Sequence, residues 1–316
     1  MELYPGVHQI RSLFGGRNLF QYVFVGEQVI LLDSGVAETP EKTIFPYMES
    51  VGVAPQRLAL AVTMHADLDH QGGNSALRDA ARDVQLACHA ADRVLIEHPE
   101  ALYALRYDHL HASCGTPAPR DAMPQAGGPV VMDVLLQGGE RLRLAPDWEL
   151  EVWHVPGHSD GHLAIYDAKH HAVFTSDAVQ SAFCPMASGA PAFGPTYYAV
   201  DAYLATIHFL EQQPLEHLYS GHWPDCHGAG VQAFLESSRQ FVERTEALLP
   251  TQLDRPQGAS LGELVQTLAP RLGAWPRSNN WLLMWALYGH LVRLEQRGAA
   301  QRVVGSRPWR WRLKRP

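Results

Sequence analysis

Cysteine is scarce and scattered in this chain. The four residues, at 88, 114, 184 and 226, form no C-x-x-C pair, which argues against a disulfide framework or a cysteine zinc knuckle and leaves free buried thiols. No stretch approaches the ~20 consecutive apolar residues that a membrane span needs. The start, Met1-Glu2-Leu3-Tyr4-Pro5-Gly6, has neither the basic nor the apolar segment of a signal peptide. The expectation is a cytoplasmic protein with no membrane partner. A P-loop and a G-x-G-x-x-G run are also missing, so a nucleotide cofactor is unsupported. With 316 residues, 46% of them hydrophobic and 18% charged, the chain can bury one large core or two smaller ones. A disordered or fibrous chain is excluded.

What is plentiful is histidine. Its 17 copies fall in short clusters, and clustered imidazole points toward metal. Charge is uneven as well. Residues 251–316 hold eleven Arg or Lys against three acidic residues, a net +8 within a chain of net −8, so the remainder stands at −16. That split suggests two modules, the second able to meet something acidic.

β-rich runs at Leu19–Val25 and Gln28–Asp33 read as a hairpin, followed by a helix from about Pro40 to Val51. The apolar runs Leu58–Met64, Leu150–Val155, Ala172–Ser176 and Leu215–Ser220 read as strands. Each ends just before a histidine or an aspartate, so candidate ligands gather at strand ends. Helical patterns at 200–212 and 231–249 alternate with them, which predicts an α/β or layered α+β class. Residues 93–128 break this rhythm with Tyr103, Tyr107, His109 and His111, and read as a lid-like insertion lining a substrate pocket, or equally as a surface insertion. A boundary is expected near 250. Beyond it come the capping box Ser260–Glu263, a helix from 280 to 297, and a basic hairpin of residues 301–304 and 309–313. Together these suggest a small winged-helix-like domain.

The strongest signal is His65-Ala66-Asp67-Leu68-Asp69-His70. Imidazole nitrogens and carboxylate oxygens that alternate on a loop behind a strand can face one centre and suit first-row divalent ions. His158 after Pro156-Gly157, Asp177 after Thr175-Ser176, and His222 after Gly221 follow in order. This order resembles the metallo-β-lactamase superfamily, from the N-terminal hairpin through about residue 250. The resemblance implies an αββα sandwich with two divalent metal ions (Zn, Mn or Fe) at one edge of the sheets. It implies that His65 and His158 hold the first metal, that Asp69, His70 and His222 hold the second, and that Asp177 bridges. Asp69 is also the catalytic candidate, orienting a nucleophile or shuttling a proton. His162 matches a family histidine that orients a ligand from behind. Cys226 and His227 are weaker candidates for the same supporting role.

One position departs from the family pattern, because Asp67 stands where its second histidine belongs. Ligation through an Asp67 oxygen is preferred to a vacant or water-filled position. A third carboxylate would bring the centre near neutrality, weaken the metals as Lewis acids and favour Mn or Fe over Zn at the first site.

Three functions follow. The preferred one is attack by a metal-bound hydroxide on a small ester, thioester or lactone. An endoribonuclease or phosphodiesterase would use the basic C-terminal segment, with Trp309 and Trp311 stacking bases. The preferred alternative is that Trp275, Trp281 and Trp285 are core, and that the segment packs on the acidic body as a cap or forms a homodimer surface. The third reading is a mononuclear iron redox enzyme or a non-catalytic metal-binding protein.

Overall fold

The computed structural model describes residues 1–114 and 120–314, without the side chains of 112 and 113. Part of the insertion, with Pro117 and Pro119, and the last two residues, Arg315 and Pro316, lie outside these residues. Two sheets stack face to face. One has seven strands in chain order, from Glu2–Tyr4 through Val7–Phe14, Arg17–Val25, Val29–Leu32, Leu58–Thr63 and Gln85–His89 to Val134–Leu136. The other has six, running from Cys226–His227 through His217–Ser220, Ala172–Ser176, Leu163–Asp167 and Trp148–His154 to Arg141–Ala145. Alternate side chains of both sheets interleave. Phe24 meets Phe174 edge-on at 4.9 Å, and Ile30, Leu32, Val62, Leu150, Val152 and Ile165 fill the space around them. Each such side chain contributes about 1.5–3 kcal/mol on burial. Helices cover the outer faces, among them Val200–Glu211 and Ala229–Leu253. The layers are therefore αββα, as the motif order implies.

Strand direction explains where the ligand candidates lie. Val29–Leu32, Leu58–Thr63 and Gln85–His89 run parallel, so Asp33 and His65 leave neighbouring strands at the same end. In the second sheet Ala172–Ser176 and His217–Ser220 are also parallel, which places Asp177 beside Gly221 and His222. Ligands in open α/β sheets are built at these carboxyl ends.

The expected boundary near 250 falls inside the long helix that ends at Leu253. After it, Ser260 caps the helix Leu261–Leu272 with the complete capping box. A 3-10 turn at Arg277–Leu283 leads into the helix Met284–Gln296, and a three-stranded sheet of Ala259–Ser260, Arg310–Leu313 and Ala300–Arg302 completes the segment. Trp311 is fully buried, and Trp275 and Trp285 are nearly so. Gly289 lets the helix Met284–Gln296 approach the backbone of Tyr198, where a Cβ would lie 2.1 Å from the carbonyl oxygen.

Candidate metal centre

The two sheet edges bring two groups of three ligand atoms together, His65, Asp67 and His158 in the first and Asp69, His70 and His222 in the second, and a third, overlapping group of Asp33, His65 and His70 lies behind them. Two glycines permit the approach. A Cβ on Gly221 would lie 2.5 Å from Asp177 Oδ1 and 2.8 Å from His70 Cε1, and one on Gly157, whose φ is +139°, would strike Tyr203. Asp33 and Ser176 have φ of +57° and +45°, uncommon for residues with a side chain.

In the second group the outer hydrogen bonds decide the protonation pattern. His70 Nδ1 lies 2.8 Å from Asp33 Oδ2, and His222 Nδ1 lies 2.6 Å from the carbonyl oxygen of Asn18. Both oxygens only accept, so both Nδ1 atoms carry the proton and both Nε2 atoms carry lone pairs in the neutral rings. Those Nε2 atoms face each other at 3.2 Å, with Asp69 Oδ2 3.5 Å from His222 Nε2, and Asp177 within 3.7 Å of both rings. Lone pairs and carboxylates converging on one point repel unless a cation lies among them. The same carboxylates act on His70 itself: burial pulls its pKa down, but Asp33, Asp177 and Asp69 outweigh burial and push it up to about 10, so without a metal ion a proton on Nε2 meets their charge. Buried Asp177 Oδ1 has no hydrogen-bond partner. This donor set fits a divalent cation.

The first group differs. Asp67 Oδ1 accepts from Arg106 Nε at 2.5 Å and from the Tyr107 hydroxyl at 2.9 Å, while Oδ2 accepts from Arg106 Nη2 at 2.8 Å and faces His158 Nε2 at 2.8 Å. Burial would raise this carboxyl, but Arg106 and the contacts from His158 and His65 hold it well below the usual range. His65 Nε2 stands 3.5 Å from Asp67 Oδ2, too far for a hydrogen bond, and has no other partner. Burial, helped by His70 and His162, keeps His65 well below the ordinary imidazole pKa.

His162 stacks on His65 with ring centroids 4.4 Å apart and holds the Thr175 carbonyl oxygen at 3.1 Å, so it supports His65 from behind. Cys226 and His227 point away from the centre. They pair with the strand His217–Ser220 at the sheet edge, where His227 meets His217.

Above the centre lies a cavity of about 260 Å³. Its walls are mostly apolar, with Phe14, Leu68, Phe193, Trp281 and Trp285, and its charged lining includes Arg17, Arg106, Asp69 and Asp177. Of the four insertion residues expected there, Tyr107 lines the cavity. Tyr103 is buried against Asp108 and Arg120, His111 packs on Trp281 and Trp285, and His109 turns toward Tyr288. Among the described residues the insertion's helices divide their side chains between the cleft, the insertion itself and the C-terminal segment.

Several contributing residues were not found from sequence. Arg106 clamps Asp67, and Arg17 lies 3.4 Å from Asp69 and over the Phe193 ring at 4.9 Å. Asp33 orients His70, and its signal was the acidic residue at the end of the hairpin. Asp92 accepts from Ala66 N, Ser159 Oγ and Gly161 N, tying the two histidine loops together. Residues 157–161 read Gly-His-Ser-Asp-Gly, the G-x-S-x-G string of serine hydrolases. Ser159 is buried and donates to Asp92 at 2.5 Å, so its hydroxyl braces a loop.

An αββα sandwich with histidine and aspartate clusters at its strand ends defines a class of metal-dependent hydrolases. The chain belongs to the metallo-beta-lactamase superfamily, whose model matches residues 16–222. Members of this superfamily typically bind divalent metals. The chain is 28% identical over 202 residues to the human acyl-coenzyme A thioesterase MBLAC2, an alignment covering 56% of this chain and 65% of that protein. It thus spans just under two thirds of the relative's length. A metallo-beta-lactamase family protein from Thermus thermophilus superposes over 99% of this chain and 100% of its own, with a TM-score of 0.77 and 22% identity. A beta-lactamase domain protein from Burkholderia ambifaria does so over 99% and 93%, with a TM-score of 0.78 and 16% identity. At these identities the two structures speak for the fold alone.

Proposed function

We propose that this metal-dependent hydrolase cleaves a small acyl ester or thioester, with the acyl group seated against Phe193, Trp281 and Trp285. The observation that carries the reading is the pair of inward-facing Nε2 atoms, of His70 and His222, with Asp69 and Asp177 beside them on the floor of an apolar cavity. A divalent cation bound there supplies a Lewis acid for the acyl carbonyl and acidifies a water molecule. Zn, Mn and Fe all suit an imidazole and carboxylate donor set.

The chain's own groups do the rest. Asp69 is held well below its usual carboxyl range: burial raises it, but the contact with His222 and the nearby His70 and Arg17 outweigh burial. It is placed to accept a hydrogen bond from the attacking water and orient it toward the carbonyl carbon. Asp177 faces both His70 and His222 and completes their ligand set. The aromatic wall keeps bulk water from the acyl chain. The human thioesterase relative favours a thioester, while a lactone uses the same carbonyl chemistry.

RNA is the weaker reading because four of the C-terminal arginines have acidic partners. Arg293 pairs with Asp201 and Glu246, Arg297 with Asp201, Arg302 with Glu295 and Arg310 with Glu263. Two of those acids, Asp201 and Glu246, belong to the acidic body, and Trp311 is core. We propose the segment as the cavity's outer wall.

The test is hydrolysis of acyl thioesters and p-nitrophenyl esters of increasing chain length by metal-loaded protein, with Asp177→Ala as control. Turnover that rises with acyl length and vanishes in the variant supports the reading. Cleavage of RNA with no turnover of any ester would overturn it.

A further inference from the structure

We infer that the chain works with one metal ion, bound at Asp69, His70 and His222 with Asp177, and that the guanidinium of Arg106 takes the place of the first cation. This rests on the hydrolase reading but concerns only the number of ions and what holds the other half of the centre. The two-ion expectation requires His65, Asp67 and His158 all to offer lone pairs to one point. Two of the three are already engaged.

Asp67 is gripped at both oxygens by Arg106 and capped by Tyr107. The same guanidinium lies 3.3 Å from His158 Nε2 and from the His158 carbonyl oxygen. An ion bound to His158 at the usual ~2 Å would sit beside a permanent positive charge. The guanidinium is itself held from outside, since Trp285 Nε1 donates to the Arg106 carbonyl oxygen at 3.3 Å and Tyr107 packs edge-on against Trp285.

His158 is engaged at both ring nitrogens. Outside, Nδ1 lies 3.2 Å from Gln180 Nε2 and 3.3 Å from the Thr196 carbonyl oxygen. Inside, Nε2 lies 2.8 Å from Asp67 Oδ2 and 3.3 Å from Arg106 Nη2, so the edge that would face an ion is covered by the Asp67–Arg106 pair. A second ion would therefore meet one unengaged imidazole, His65, rather than three ligands.

Charge agrees with this arrangement. Asp67 is matched by Arg106, whereas Asp69, Asp177 and Asp33 converge on the second cluster with only Arg17 beside Asp69, which leaves an excess of negative charge there for a cation. The guanidinium is a fixed, non-exchangeable charge on the side where the family motif places its first metal.

The experiment counts ions. Full-length protein stripped with chelator and titrated with Co²⁺ or Zn²⁺ should take up one equivalent, by elemental analysis and calorimetry, and Mn²⁺-loaded protein should give the EPR spectrum of an isolated ion. Arg106→Met combined with Asp67→His should take up two equivalents and show spin coupling. Two tight equivalents in the unaltered protein, or coupled Mn²⁺ pairs, would overturn the inference whether or not any variant folds. The count is independent of turnover. Failure of every ester and thioester assay would sink the hydrolase reading and leave the stoichiometry standing.

Discussion

Two ligand clusters share one cavity floor and are wired differently. Around His70 and His222 the outer partners are oxygens that accept from Nδ1, so the inner nitrogens face the centre, where the carboxylates are in excess. Around His158 the outer contacts are an amide N–H and a backbone carbonyl, and the single carboxylate on the inner side already has its cation in Arg106. The difference teaches that ligand identity alone does not make a metal site. Hydrogen bonds one step farther out decide whether an imidazole presents a lone pair or a proton.

The comparison can be broken most directly by removing one ligand from each side. Replacing His222 with Ala should remove the ion and lower kcat/KM about 1000-fold, since the lost Lewis acid supplies several kcal/mol. His65→Ala should keep the ion and cost about tenfold, roughly 1.4 kcal/mol. Equal losses of metal in the two variants, measured by elemental analysis, would show the clusters to be equivalent.

Arg106→Met tests the charge match. It leaves the buried Asp67 unpaired, and breaking such a pair costs about 3–5 kcal/mol of stability, visible in chemical denaturation. The pH dependence has a definite sign. Because Asp67 is held below its ordinary carboxyl range, the pair stabilises the fold at neutral pH and loses this effect only as acid protonates the folded carboxylate. The Tm gap between the native chain and Arg106→Met should therefore hold from about pH 7 to about pH 5 and close below about pH 4. A gap that closes near neutrality would assign the stabilisation to histidine.

Trp285→Ala should cost about 3 kcal/mol through the cavity it leaves. It also releases the Arg106 backbone, so it should loosen the first cluster and reduce selectivity for longer acyl chains while ion binding at His70 and His222 is unchanged. Ser260→Ala touches neither cluster. It removes the capping-box hydroxyl and should cost about 1 kcal/mol in thermal unfolding with the same metal count.

The αββα order was legible, and seven residues could be singled out as ligand candidates, because they lie in short motifs directly after apolar strands, where period and spacing carry information. Asp33 was half visible as an acidic residue closing a hairpin. Arg106 was not, because an arginine in a Tyr- and His-rich insertion has no local pattern, and only packing shows which residue it reaches. The insertion drew attention to its aromatic and histidine side chains, while the group that enters the centre was the cation between them. The charge split between body and C-terminal segment was legible as arithmetic. Its pairs, such as Arg293 with Asp201 and Glu246, join helices far apart in sequence and needed the fold.

The hydrogen bond from Trp285 to the Arg106 backbone also joins parts of the chain that are far apart in sequence. Every candidate ligand lies at or before residue 222, but the residue that backs the insertion over them lies more than sixty positions later. A chain truncated before the last helix would therefore carry the full ligand set and lack this anchor of the cavity wall.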